Sequence, residues 1–348
     1  MTDAPTIWLI QQIQQSATSQ SIWFSDENVL RQLPDSKDWI RKPTLITNRW
    51  DIAEQAKQSG FITQFNDFEL TAITDDSIDH IFYRISKEKA VTHHLINQAA
   101  RILSPSGILW LSGQKNEGIK TYIEKASALF GCGKQIEKNG MGYSARLQKK
   151  SITNHFLNDE NYSELRACLE IDDKTVFSKP GQFGWNKIDQ GSKYLIDEVA
   201  KLIESGKHFN HCLDLGCGYG FLTIASTQFS IKSHTLTDNN AAALIAARYN
   251  CARLEIDAVI VESDAGRHLE QCFDLILCNP PFHQGFSVDG DLTDKFLRSA
   301  SRLLLPNGVA YFVVNQFIPL EKKASAFFKS VVVIAQNKSF KVIQLHKN

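Results

Sequence analysis

No Cys-x-x-Cys pair occurs among the seven cysteines of the chain, and their odd total cannot be fully paired. Structural zinc and a disulfide framework are both disfavoured; reduced thiols and a cytoplasmic location are expected. Met1-Thr2-Asp3-Ala4-Pro5 carries no basic leader region, and no stretch reaches the roughly 18 uninterrupted apolar residues of a membrane span. An excess of either charge is also missing, since 38 basic residues balance 38 acidic ones. Contact with a nucleic acid therefore has to come from a local patch rather than from the overall field. The 348 residues, 43% of them hydrophobic, exceed the roughly 100 to 200 typical of one domain, and two folded domains are expected.

The most informative segment is Asn279-Pro280-Pro281-Phe282, which follows the apolar run Phe273-Asp274-Leu275-Ile276-Leu277-Cys278. Two prolines fix φ and remove two backbone donors, so the carbonyls around them face outward as acceptors. The exocyclic amine of a nucleobase is a poor nucleophile because its lone pair is delocalised into the ring. Hydrogen bonds from its two hydrogens to the Asn279 side-chain oxygen and the Pro280 carbonyl would pyramidalise the nitrogen, while Phe282 stacks on the base. A strand-ending turn is the plainer alternative for such a segment.

Upstream, His211-Cys212-Leu213-Asp214-Leu215 reads as a strand, Gly216-Cys217-Gly218-Tyr219-Gly220 as a glycine loop, and Phe221 to Ser226 as the opening of a helix. Glycines let backbone approach a ligand, and the helix N-terminus adds partial positive charge. A dinucleotide fingerprint is absent, because Phe221 occupies the position of its last glycine. The Asp-x-Gly-x-Gly-x-Gly spacing instead resembles motif I of S-adenosylmethionine-dependent methyltransferases. On that resemblance, the loop backs the methionine and ribose of the cofactor, with Gly216, Gly218, Gly220 and Asp214 as contacts and Asn279 at the reacting end.

Ile231 to Thr237 reads as a second strand ended by Asp238, about 20 residues after Gly216, the offset at which an acid accepts from ribose hydroxyls. Ala258 to Val261 is a third strand, and Asp264 beyond it could accept from the adenine amine. Either acid could instead be a helix N-cap. All these residues fall at the carboxyl ends of strands, where open α/β sheets bind ligands.

The chain also holds a repeat. Ile78-Asp79-His80-Ile81-Phe82-Tyr83 matches Phe273 to Cys278, and Arg101 to Leu109 matches Arg302 to Ala310, each copy with a Pro-x-Gly turn. The second copy has six more residues between the two matches, following Asn279-Pro280-Pro281-Phe282, where a substrate loop belongs. In the first copy Arg84-Ile85-Ser86-Lys87 stands in place of that segment, and the upstream Leu45-Ile46-Thr47-Asn48-Arg49 has no glycine cluster. The expected fold is α/β, two tandem Rossmann-like methyltransferase domains arising by duplication, the N-terminal one degenerate. The boundaries expected are 1–150 for the degenerate domain, 151–174 for a linker with a helix near Tyr162 to Leu169, and 175–348 for the catalytic domain.

Over nearly its whole length the chain resembles the ribosomal RNA small subunit methyltransferase C family, bacterial guanine-N2 methyltransferases. The specific segments are Asn279-Pro280-Pro281-Phe282-His283-Gln284-Gly285, the loop Asp214 to Gly220, and Pro180-Gly181-Gln182-Phe183 running to Asp189-Gln190-Gly191-Ser192. In the family this last stretch precedes the first catalytic helix and lies against the cofactor. The resemblance implies S-adenosylmethionine as cofactor and, as substrate, the guanine at position 1207 of 16S rRNA within the 30S subunit. It further implies a soluble monomer without a metal, with Asn279, Pro280 and Phe282 catalytic and Pro281, Phe282, His283 and Gly285 on the substrate. Departures lie in the first half, where Ser86-Lys87-Glu88-Lys89-Ala90 replaces a Pro-Lys-x-Lys-Pro pattern.

His283 follows Phe282 directly and reads as shaping the loop or touching the base rather than as a base. Phe286, Gln316 and Phe317 could line the base pocket. Lys134, Lys138, Arg146, Lys149 and Lys150 could contact phosphates or form a solvated face, so the first half could bind RNA or support folding. Adenine N6 and protein glutamine N5 present similar planar amines, and a non-catalytic RNA-binding assembly factor is the alternative from another class.

Overall fold

The computed structural model describes residues 3–29, 32–203, 208–281, 283–284, 287–288 and 290–347. The chain divides into two compact units, Met1–Ser163 and Glu164–Asn348.

The first unit runs α1 (Ala4–Ser16), β1 (Ser21–Ser25), β2 (Thr44–Thr47), α2 (Trp50–Gln58), β3 (Thr63–Phe65), β4 (Ile78–Arg84), α3 (Lys89–Ile102), β5 (Leu103–Gln114), α4 (Ile119–Leu129), β6 (Ile136–Asn139) and β7 (Gly142–Gln148). Its seven-stranded sheet has the order β3-β2-β1-β4-β5-β7-β6. The second unit opens with a hairpin of β8 (Arg166–Ile171) and β9 (Lys174–Ser178). It continues through α5 (Gln190–Ile203), β10 (Phe209–Leu215), α6 (Phe221–Ser226), β11 (Ile231–Asp238), α7 (Ala241–Arg253), β12 (Ala258–Glu262), β13 (Phe273–Cys278), β14 (His283–Gln284), β15 (Ser287–Val288), α8 (Gly290–Leu303), β16 (Leu304–Asn315), α9 (Leu320–Ala324), β17 (Ser330–Gln336) and β18 (Phe340–His346). Its sheet order, β12-β11-β10-β13-β16-β18-β17, is that of the first unit element for element. In both, the first five strands of the order pair parallel and the last two pairings of the order are antiparallel. The duplication expected from the repeat is therefore a property of the fold.

The strands of the second unit are nearly continuous apolar runs because both sheet faces are covered. Alternate residues feed opposite cores: Cys212, Leu275, Leu277, Val309, Tyr311 and Val313 enter the core under α5 and α6. Leu213, Leu215, Ile276, Cys278, Ala310 and Phe312 enter the one under α8 and α9.

Three expectations are corrected. The strand equivalent to β10 is β1, not Leu45–Thr47, which as β2 corresponds to β11; the counterpart of the glycine loop is thus Asp26-Glu27-Asn28, also without glycine. No helix forms near Tyr162 to Leu169. Glu160 and Asn161 take left-handed φ values of 57° and 50°, and β8 then pairs with β9 so that Leu169 and Ile171 reach the second core. The stretch read as a linker divides between the units, residues 151–163 packing on the first, where Leu157 and Tyr162 join its core. The Pro-x-Gly turns lie inside β5 and β16 as register shifts: between Phe273–Leu304 and Leu275–Val309 in one copy, and between Ile78–Leu103 and His80–Ile108 in the other.

Candidate functional site

β10 and β13 are adjacent parallel strands, and Asp214 pairs with Leu277. Gly216 and Asn279 are therefore each two residues beyond the same rung, so the glycine loop and the Asn-Pro-Pro segment leave the sheet side by side. Asn279 is half-buried, Pro280 buried and Pro281 exposed. The Asn279 Nδ2 donates to Asp189 Oδ2 at 2.7 Å and to Ser192 Oγ at 2.8 Å. With a carboxylate facing the nitrogen, the amide orientation follows from its partners. Both amide hydrogens are engaged, and the carbonyl oxygen remains on the opposite side as an acceptor. Asp189 is itself fixed, since its Oδ2 also accepts from the Ser192 backbone N–H at 2.7 Å in the first turn of α5.

Gly216, Gly218 and Gly220 have φ of 83°, 55° and 91°, the left-handed region that L side chains avoid. A Cβ on Gly216 would also stand 3.1 Å from Phe296 Cε1. Asp238 holds the loop: its Oδ2 accepts from the Gly218 N–H at 2.9 Å, and its Oδ1 from the Asn240 N–H at 2.8 Å. Asp238 is not the cap of α7, because that place belongs to Asn240, whose Oδ1 accepts from the Ala242 N–H at 2.8 Å. Asp264 caps no helix either, since residues 264–268 form a turn; its carboxylate pairs with Lys295 of α8.

Asp214 is fully buried. Its Oδ2 accepts from the Thr223 N–H at 3.0 Å and hydroxyl at 2.8 Å, tying β10 to α6. Burial outweighs these bonds and pushes its carboxyl up to about 7, with the nearby Asp238 charge adding to the rise. Among the described residues, four buried polar atoms in this region have no partner: Asp214 Oδ1, Thr237 Oγ1, Ser263 Oγ and Gln182 Oε1. Buried polar atoms are otherwise nearly always bonded, and these lie at or beside the carboxyl ends of β10, β11 and β12. A crevice with a positive-φ glycine loop, an acid at the second strand end and unsatisfied buried acceptors fits a nucleoside with an amino-acid tail, as S-adenosylmethionine is.

Of the residues expected at the site, Phe282, Gly285 and Phe286 lie outside the described residues, and His283 is described only as backbone in β14. Gln316 donates to the Lys338 carbonyl, and Phe317 is 83% exposed. Lys149 leaves the basic set: it is buried, and its Nζ donates to Asp76 Oδ1 and the Leu103 carbonyl, both at 2.6 Å. Asp189, Ser192 and Gln182 stand out in the sequence only as part of a resembling segment. The signal is that segment itself, but their bonds join positions far apart in the chain.

Comparison with known proteins gives the site a family context. Residues 173–344 match the model of the methyltransferase small domain. A ribosomal RNA small subunit methyltransferase C of Buchnera aphidicola subsp. Acyrthosiphon pisum is 36% identical over 277 residues, 76% of each chain. One from Hahella chejuensis is 27% identical over 284 residues, 80% of each. Among solved structures, a T. thermophilus 16S rRNA N2 G1207 methyltransferase in complex with AdoMet and guanosine superposes with a TM-score of 0.82 at 22% identity. That match covers 98% of this chain and 92% of the other, and it shows the shared fold.

Proposed function

Because the chain belongs to the ribosomal RNA small subunit methyltransferase C family, we propose that it transfers a methyl group from S-adenosylmethionine to the exocyclic N2 amine of a guanine in 16S rRNA. The guanine at position 1207, named for the T. thermophilus neighbour, is the expected target, within the 30S subunit and in the cytoplasm, with the enzyme acting as a monomer. The observation that carries this reading is the amide of Asn279, whose nitrogen is held by Asp189 and Ser192.

When bound, the cofactor supplies a methyl group on a positively charged sulfur. Gly216, Gly218 and Gly220 would let the backbone lie against its methionine and ribose, Asp238 would accept from the ribose hydroxyls, and Asp264 would accept from the adenine amine. Asp214 holds the loop to α6. Asn279 accepts one amine hydrogen through its oxygen and Pro280 the other through its carbonyl, turning the nitrogen lone pair toward the methyl. Because both acceptors are set before substrate arrives, no reorganisation is needed at the moment of transfer. Phe282 stacks on the base, and Pro281, His283 and Gly285 shape the loop over it. No strong base is required, since the proton becomes acidic once the nitrogen has taken the methyl group and can leave to water. Positioning supplies most of the rate. The first unit, degenerate as a methyltransferase, contacts RNA phosphates or supports folding.

Labelled methyl transfer to isolated 30S particles, free 16S rRNA and a release factor tests the proposal. Label on 30S particles, mapped to guanine N2, is the expected result; label on the release factor alone overturns the guanine assignment.

A further inference from the structure

Gln182 has no role in the site so far. Its side chain is 5% exposed, its Nε2 donates to Ser178 Oγ at 3.2 Å, and its Oε1 has no partner among the described residues. That oxygen lies 3.9 Å from where a Cβ on Gly218 would stand, so it faces the middle of the glycine loop. The backbone beside it is pinned, since the Gly181 carbonyl accepts from Asn240 Nδ2 at 2.7 Å at the start of α7. A buried carboxamide oxygen without a partner loses the desolvation free energy of a polar group unless a ligand donates to it.

The geometry points to Gln182 as an acceptor for the α-ammonium of the cofactor's methionine, a specificity contact for the amino-acid end of the donor. This rests on the reading of the crevice as an S-adenosylmethionine site. The ribose hydroxyls have the Asp238 carboxylate, whereas the ammonium carries three N–H donors and needs several acceptors.

Calorimetry on the full chain tests the contact without relying on turnover, using S-adenosylmethionine, S-adenosylhomocysteine and 5′-methylthioadenosine, which keeps the nucleoside but lacks the amino-acid end. Gln182→Met preserves size and removes the acceptor. Its dissociation constants for the two amino-acid-bearing ligands should rise about tenfold or more, while that for methylthioadenosine stays within about twofold. Gln182→Glu, still an acceptor, should keep or tighten S-adenosylmethionine binding. Equal loss for methylthioadenosine would assign the contact to the ribose, and a larger loss in Gln182→Glu than in Gln182→Met would mean the amide donates to the cofactor carboxylate. Unchanged binding in a variant of normal melting temperature would leave Gln182 as packing. Each of these three outcomes overturns the inference, whereas a wild-type chain that binds none of the ligands overturns the cofactor reading instead.

Discussion

Asn279 owes its orientation to Asp189, 90 residues upstream. Replacing Asn279 with alanine removes an acceptor from the reacting amine but none from the sulfonium donor. Single-turnover methyl transfer should fall about 100- to 1000-fold, with the S-adenosylmethionine dissociation constant changed by less than about threefold. Equal losses in both would contradict that division. Asp214 gives a second test through pH. Its folded-state carboxyl titrates near 7 against an ordinary value of 3.8, so the unfolded chain releases this proton first as pH rises. The stability it contributes is intact below about pH 4, is lost as pH climbs toward 7, and is constant above. On about 1.36 kcal/mol per pH unit the loss is of order a few kcal/mol. Asp214→Asn, which keeps an acceptor for Thr223, should melt several degrees higher than wild type at pH 8 and no higher at pH 4 in ligand-free scans; parallel curves would show that the carboxyl is ionised throughout. The sequence made both residues visible as motif members, because Asp-x-Gly-x-Gly-x-Gly and Asn-Pro-Pro are local spacings. It hid the partners of Asn279, because hydrogen bonds over 87 and 90 residues leave no local pattern.

At the scale of elements, the two units have kept the same braces and changed the same crevice. Arg101 and Arg302, each in the last turn of its helix, donate to carbonyls of the loop before β4 or β13, Leu70 and Ile73 in one case and Gly266 and Leu269 in the other. Lys149 and Lys347 reach the equivalent carbonyls of Leu103 and Leu304. A Cβ on Gly107 or Gly308 would stand 3.0 Å from the carbonyl of Ile78 or Phe273, so both bulges need glycine. Even the helix cap behind Asn279 recurs, since Asp3, which caps α1, binds Arg84, the residue in Asn279's place. Arg84 is then enclosed by Glu117 as well, a buried ion pair where the other unit has the Asn279 amide. By strand register, Trp23 replaces Asp214 and Ser25 replaces Gly216. Asp67, the counterpart of Asp264, accepts a hydrogen bond from the buried Tyr162 hydroxyl. The chain's own phenol therefore occupies the carboxylate at the position equivalent to the proposed adenine acceptor Asp264. Tyr162→Phe should lower the stability of the first unit by about 1–3 kcal/mol, read as an earlier unfolding step, with S-adenosylmethionine affinity unchanged. A loss of cofactor affinity in that variant would show that the first crevice is not simply a filled relic. The repeat was legible because Pro-x-Gly bulges and Asp-containing strands are short local strings. The plug was not, because a polar stretch such as Asn158-Asp159-Glu160-Asn161 reads as a connection until Tyr162 is seen packed beside His94, with ring centroids 4.8 Å apart.

For the whole molecule, zero net charge means that attraction to RNA depends on where the cations stand, not on their number. Once Lys149 is set aside, its side chain buried and its Nζ paired with Asp76, the basic residues singled out in the first unit separate by environment. Lys134 faces Glu124 at 3.7 Å, and Arg146 lies over the Trp110 ring at 5.7 Å. Lys138, on the edge hairpin of β6 and β7, and Lys150 are both exposed. If this edge meets phosphates, each ion pair with RNA that is removed lowers affinity for every sequence alike and reduces its salt dependence by about one unit of log–log slope. The double variant Lys138→Glu, Lys150→Glu should raise the KM for 30S particles several-fold at about 0.1 M salt and flatten its salt dependence. Its S-adenosylmethionine dissociation constant and its melting profile should match those of wild type, since neither side chain belongs to a core or to the crevice. A KM unaltered across the salt series would remove this edge from the RNA surface and leave folding support as the role of the first unit. A KM raised without any change in salt slope would point to a clash introduced by the glutamates rather than to missing phosphate pairing, so the slope, not the KM, is the quantity that decides.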